Sequence, residues 1–394
     1  LDWFRFRIPL SFINEPKPMK YLNPFTPLRA VALFLFFFLL SVSSFAEDPK
    51  TLEIGAQAPD FSLPGIDGKT YSLKSFAGSK VLVMIFTCNH CPTAQAYEDR
   101  IKALVSDYKS KGVAIVAVSP NYPAAVRLDE LGYSDLGDTF EEMKIRAKDK
   151  GYNFPYLYDG DTEKMSRAYG PVATPHAFIF DQNRKLQYVG RLDGSEKPGS
   201  ANAEDARNAI DALLAGKPVA LAKTKTFGCS VKWMDKADWA KKAPEEWAKE
   251  PVTLDLIDEA GLKALLKNDT DKVRLVNVWA TWCGPCVVEM PEFVNINRMY
   301  RNRDFEFITL SADKPDKKDK ALSILKQKQA SSKNYLFNSE DKYKLIEAID
   351  PEWQGALPYT MLIEPGGKII YRKQGAIVPL EMKKMIVEKI GRVY

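Results

Sequence analysis

Cys88 and Cys91, in "FTCNHCPT" (residues 86–93), stand between an apolar run and a polar, helix-like segment. Cys283 and Cys286 repeat the spacing in "WCGPC". Such a pair is half of a zinc site, a structural disulfide or a working dithiol. Zinc needs a complementary Cys/His pair, and neither half of the chain supplies one. A disulfide across C-x-x-C closes almost no loop, so it restrains the unfolded chain little. The spacing favours chemistry over stapling. A free thiol, with a pKa near ~8.5, is mostly protonated at neutral pH, and a helix N-terminus lowers it to ~3.5–7.5. Cys88 and Cys283 come first after the apolar runs, so they are expected in the first helical turn as nucleophiles. Cys91 and Cys286, one turn further in, are then the resolving thiols. His90 puts an imidazole beside Cys88; protonated, it would stabilise the thiolate and make that pair the more oxidising of the two.

The elements that must hold these cysteines follow from periodicity. Residues 81–86 "VLVMIF" and 113–118 "VAIVAV" read as buried strands, and residues 58–78 as a hairpin. A helix is expected from the first pair to about Lys109. The capping box Thr139-x-x-Glu142 opens another, to about Lys150. Residues 155–158 are extended and 162–169 form a short helix. Residues 173–181 and 185–193 pair as a hairpin, and 203–214 close the unit as a helix. The second unit repeats the plan: a strand at 274–279, a helix kinked near Pro291, a strand at 305–310, and a helix at about 319–329. A hairpin over 357–375 and a helix over 380–390 end it. The fold class is α/β: two tandem units, each a mixed sheet flanked by helices, at 50–217 and 252–394. The connector, 218–251, is basic, contains Trp, carries the fifth cysteine, Cys229, and shows little β character.

Residues 30–40, "AVALFLFFFLL", follow Lys20 and Arg29 and lead into "SVSSFA" before Glu47. That pattern predicts a signal peptide cleaved after Ala46, and hence a periplasmic or secreted protein. The alternative is an uncleaved anchor, although the run is shorter than the ~20 residues of a span. Met19 would be a natural start, which makes residues 1–18 an over-extended one. Beyond residue 46 the chain carries 51 basic and 49 acidic residues. A net charge near +2 gives no footprint for nucleic acid. Export would permit oxidised cysteines.

A strand, then C-x-x-C at a helix start, then a distant X-Pro opening the last hairpin resembles the thioredoxin fold. Residues 252–394 resemble the TlpA/ResA-type exported thioredoxins through "VNVWATWCGPCVVEMPEF" and "LPYT". Residues 50–233 resemble the redoxin (peroxiredoxin-like, AhpC/TSA-like) branch through "APDFSLPGIDGKTYSL", "FTCNHCP", "TPHAFIFD" and "FGCSVKW". The resemblance implies a thiol–disulfide oxidoreductase exchanging electrons between its two dithiols and protein disulfides. Its redox-active disulfides, Cys88–Cys91 and Cys283–Cys286, would need no other cofactor; its partners would be protein thiols and a membrane electron donor. Pro175 and Pro358 would be cis and packed against the cysteines, leaving the preceding backbone free for a substrate strand. Thr174 and Leu357 would face the disulfides. Trp282 and Pro285 belong to the second signature, and Gly284-Pro285 is the combination of reducing thioredoxins. Glu289 matches the acidic residue of the ResA-type pattern, a proton acceptor for the second thiol; it could equally be a solvated helix glutamate. Asn277 replaces a buried acid, and Leu82 and Ala94 stand at the two corresponding positions of the first unit, whose proton handling must differ. Cys229 is either a buried free cysteine or a third redox cysteine reaching Cys88–Cys91.

Two other implications stay open. "CPT" at residues 91–93 resembles a peroxidatic motif, with Cys91 attacking peroxide and Cys88 or Cys229 resolving. The threonine expected three residues earlier is Cys88, however, and the proline seven earlier is Met84. Sco-type copper proteins also resemble this fold, implying Cu(I) held by Cys88, Cys91 and His176. Their cysteine spacing is x3, not the x2 found here.

Overall fold

The structure, a computed structural model, describes residues 48–392; the predicted signal peptide, its cleavage point and the alternative anchor lie outside the described residues. β1 (Leu63–Pro64) and β2 (Thr70–Tyr71) are the two-residue ladder into which the expected first hairpin shrinks. After them come β3 (Val81–Phe86), α1 (Pro92–Ala96), α2 (Glu98–Tyr108), β4 (Val113–Ser119), α3 (Phe140–Lys150) and β5 (Tyr156–Tyr158). α4 (Lys164–Tyr169), β6 (Ala173–Thr174), β7 (His176–Phe180), β8 (Leu186–Gly190) and α5 (Glu204–Leu214) complete this half. The sheet runs β5-β4-β3-β7-β8, with β3, β4 and β5 parallel and β7 and β8 antiparallel. Every side chain of β3 is buried because both faces are covered. Val83 and Ile85 face α2, α3 and α5, while Leu82, Met84 and Phe86 face the N-terminal segment and α4. Burying each such side chain contributes roughly 1.5–3 kcal/mol.

The connector has little β structure, as expected. It contains β9 (Cys229–Ser230), which pairs antiparallel with β6, and α6 (Ala237–Trp247). The second half comprises β10 (Asp255–Ile257), α7 (Glu259–Lys267), β11 (Val273–Trp279), α8 (Gly284–Tyr300), β12 (Phe305–Ser311) and α9 (Lys318–Gln327). It ends with β13 (Lys333–Phe337), α10 (Lys342–Ile349), β14 (Tyr359–Ile363), β15 (Ile369–Gln374) and α11 (Pro379–Ile390). Its sheet order is β10-β13-β12-β11-β14-β15. α8 runs unbroken through Pro291. Each half is thus a mixed sheet flanked by helices, the thioredoxin arrangement.

The halves meet along the C-terminal part of α8. Leu128 and Leu131 of the first half pack into the cluster of Phe293, Ile296, Met299 and Tyr300. Tyr300 Oη donates to the Ser134 carbonyl at 2.8 Å, and Arg303 Nη1 to the Gly132 carbonyl at 2.7 Å. Arg392 bonds Asp135 at 2.8 Å and Gln95 at 3.2 Å.

Candidate active site

Both cysteine pairs stand where a central strand feeds a helix, but the two helices begin at different points. In the second half Cys283 is the N-cap of α8, its sulfur accepting the Cys286 N–H at 3.3 Å. In the first half the cap is Cys91, whose sulfur accepts the Ala94 N–H at 3.5 Å. Cys88 therefore does not occupy the first helical turn as expected. The cause is Pro92. Proline suits the first helical position, where its missing N–H costs nothing, so α1 starts there and the residue before it becomes the cap. In WCGPC the proline follows the first cysteine by two, and the cap falls on that cysteine instead.

Cys88 and Cys91 are fully covered, and Cys229 partly so. Cys88 Sγ lies 3.1 Å from Thr174 Oγ1. Cys91 Sγ receives the Cys229 N–H at 3.3 Å and also lies 3.3 Å from the Thr174 carbonyl oxygen. The carbonyl contact suits a protonated sulfur and the N–H contacts suit a thiolate; donors outnumber the acceptor, and we read Cys91 as the thiolate. Burial alone would push its pKa up. Hydrogen bonds from the Cys229 and Cys88 thiols, the charge of His90 and the Ala94 N–H outweigh that and hold it well below the usual thiol range. Cys88 moves the other way, raised by burial and by donating to Cys91. The order of thiol acidity expected of the two cysteines is thus reversed in this half.

His90 is buried rather than beside solvent. Its Nδ1 stands 2.6 Å from Asp138 Oδ2. Asp138 also accepts the Asn89 and His90 backbone N–H groups, at 2.8 and 3.2 Å, and Asn121 Nδ2 at 2.7 Å. Burial pulls the His90 pKa down, but the Asp138 carboxylate overrides it and the net direction is up. Asp138 is held below the carboxylate range, since His90 and the N–H donors outweigh burial. Asp138 and Asn121 escaped the sequence reading. Asp138 sits directly before the capping Thr139, where it passes for helix-end polarity.

Pro175 and Pro358 both follow cis bonds, and both are buried. β6, directly before Pro175, pairs Thr174 with Cys229 and Ala173 with Ser230. At the second site Cys283 and Cys286 are joined as a disulfide. Leu357 packs against the cluster containing both. Trp282 is 68% exposed and Val288 78%, with Pro285 also exposed between them. Glu289 is buried, not solvated: Oε1 accepts Asn277 Nδ2 at 3.4 Å and Oε2 the Ile377 N–H at 3.2 Å. Burial raises its pKa against those two donors. Asn277 also donates to Thr360 Oγ1 at 3.2 Å.

The copper set does not assemble. His176 is buried with its ring against Phe178, and its Nδ1 accepts the Val172 N–H at 3.3 Å. Among the described residues, the ligand-bearing atoms that do converge, within 4.8 Å, belong to Cys88, His90 and Asp138. Asp138 already accepts four donors, which uses its lone pairs. These residues do not fit a metal ion.

Nor do the two sulfur centres meet. Apart from Cys88 and Cys91, the cluster at the first pair comprises Ala94 and Cys229, and the one around Cys283 draws on residues from Val252 to Leu357. The 17-residue α8 puts Cys283 about 25 Å along its axis from the contact at Tyr300.

Paired cysteines at a strand-to-helix junction, each faced by a cis-proline loop, are the arrangement of a thioredoxin-like oxidoreductase. The AhpC/TSA family profile matches residues 54–189, and the Redoxin profile residues 248–386. A thiol-disulfide oxidoreductase ResA from Halalkalibacterium halodurans is 31% identical over 37% of this chain and 73% of its own length. The ResA of Bacillus cereus is 29% identical, over 38% and 75%. A solved structure of an uncharacterised conserved protein from Geobacillus kaustophilus is 36% identical, with a TM-score of 0.41, over 48% of this chain and 95% of that one. The chain belongs to the ResA-type family of thiol–disulfide oxidoreductases, and it carries an AhpC/TSA domain and a Redoxin domain in tandem.

Proposed function

We propose that this oxidoreductase is exported and works through two unlike cysteine centres. The Cys283–Cys286 pair exchanges with thiols and disulfides of other proteins. Cys91 is the reactive sulfur of the first centre, which trades electrons with the Cys283–Cys286 pair through carriers rather than by touching it. In the reducing direction, the Cys283 thiolate attacks a client disulfide and forms a mixed disulfide. Cys286 then attacks Cys283 and frees the second client thiol. One S–S bond breaks in the client and one forms in the enzyme, with two electrons and two protons passing to the client. A membrane-bound dithiol donor would restore the pair. The observation carrying this reading is the contrast between sites: Cys283 caps α8 beneath exposed Trp282 and Val288, a surface a polypeptide can cover, whereas Cys91 is enclosed. The apolar run at 30–40 and its small-residue ending support export. Reduction of a protein disulfide, recharged with dithiothreitol, is expected to vanish in Cys283→Ser and persist in Cys88→Ser. Undiminished turnover in Cys283→Ser overturns the reading.

A second reading has its own observation, the capping of α1 by Cys91. Cys91 thiolate would attack a hydroperoxide, breaking the O–O bond, becoming sulfenic acid and releasing an alcohol or water. Trapping of that sulfenic acid at Cys91, ahead of any at Cys283, supports it; trapping at neither removes it.

A further inference from the structure

We infer that the Cys229–Ser230 strand is a built-in client of the first centre: Cys91 forms a disulfide with Cys229 as well as with Cys88, and the docked strand closes this centre to other polypeptides. The inference rests on Cys91 being redox-active.

The edge of β6 has one partner, and that partner is β9. The fit is built residue by residue. At Gly228, φ is +126°, and a Cβ there would meet the Thr174 carbonyl oxygen at 2.1 Å, so only glycine lets the strand lie this close. Thr226 Oγ1 donates to the Pro175 carbonyl at 3.0 Å, and the Phe227 ring lies 6.4 Å from that of Tyr97. On the far side the Lys232 N–H donates to Asn121 Oδ1 at 2.9 Å, the same Asn121 that holds Asp138. The strand is thus anchored before and after its cysteine. Cys229 donates its N–H to the Cys91 sulfur and is the most exposed of the three cysteines. A polypeptide approaching Cys91 along β6 meets this segment first.

Cys91 lies between two thiols, so one disulfide has two pairings. From Cys91–Cys229, the Cys88 thiolate attacks the Cys91 sulfur. The Cys88–Cys91 bond forms, the Cys91–Cys229 bond breaks, and Cys229 leaves as a thiolate that takes up the proton Cys88 lost. No electrons enter or leave in this step; the oxidising equivalents come from a disulfide, the co-substrate of the family's activity. In the Cys91–Cys229 form the strand is pinned. In the Cys88–Cys91 form hydrogen bonds alone hold it, and an extended cysteine-containing peptide can take its place.

The test uses the full chain oxidised by glutathione disulfide, followed by alkylation and peptide mapping. Cys88→Ser should yield a Cys91–Cys229 cross-link, and Cys229→Ser only Cys88–Cys91. Gly228→Val, which pushes the strand off β6, should raise capture of a cysteine-containing peptide disulfide at the first centre roughly tenfold. Recovery of Cys91 and Cys229 uncross-linked from Cys88→Ser overturns the pairing, and unchanged capture by Gly228→Val overturns the closure. Protein-disulfide turnover dependent on Cys283 is measured alongside: if it persists while the cross-link is missing, the inference alone fails, and if turnover is absent the proposed function fails instead.

Discussion

His90 Nδ1 and Asp138 Oδ2 lie 2.6 Å apart, 48 residues distant in sequence and both buried. The pair sets the charge beside Cys91. Asp138→Asn removes the reason for His90 to stay protonated, so the Cys91 pKa should rise and its alkylation at pH 6 should slow by about tenfold or more. Leaving one member unpaired should also cost about 3–5 kcal/mol. The native pair contributes least in acid, where Asp138 protonates, and again in alkali above the raised His90 pKa. Thiolate absorbance against pH, with denaturant unfolding at pH 6, checks both.

His176 supplies a pH dependence opposite in sign to that of His90. Burial, aided by Lys223, pushes its pKa from 6.5 down to about 4. The unfolded chain takes up a proton in that window that the folded chain lacks, so stability falls as the pH drops through it. The loss is about 3 kcal/mol by pH 4. His176→Leu should flatten the melting temperature between pH 6.5 and pH 4 relative to the native chain. Parallel curves for the two proteins count against it.

Glu289 also loses its stabilising contribution as pH rises. Its pKa is raised by burial, so the unfolded chain gives up its proton first and stability falls as pH rises through the shifted value. Glu289→Gln should therefore be more stable than the native chain at pH 8 and nearly equal at pH 4. If Glu289 takes the proton of Cys286, the variant also slows disulfide exchange with a steeper pH profile. Urea titrations and stopped-flow exchange at both pH values report the two effects.

Arg303 ties the halves together. Its guanidinium donates to the Gly132 carbonyl and lies 3.9 Å from the centroid of the Tyr133 ring. Arg303→Ala should cost about 1–3 kcal/mol at the contact. Calorimetry should then resolve two unfolding transitions where the native chain gives one.

Local pattern was legible where local chemistry decides. The apolar run at Val81–Phe86, the Thr139/Glu142 capping box and the proline-led hairpins all stand where the sequence put them. The expected single helix after Cys91 breaks at Tyr97 into α1 and α2. The proline in "CPT" carries the signal that places the cap at Cys91 rather than at the first cysteine. β13 and α10 were missed: Lys333–Phe337 pairs with both β12 and β10, a role its mixed polarity conceals. The His90–Asp138–Asn121 cluster was out of reach for another reason. Its members are drawn together by the burial of an ion pair between distant segments, and no periodicity carries that information.

Thiol exchange is contact chemistry, and α8 keeps one sulfur couple remote from the seam that joins the two halves. A couple so insulated cannot equilibrate with its neighbour inside the same molecule. Each half is free to keep its own voltage, and under the proposed function any traffic between them is metered by a shuttle that visits both.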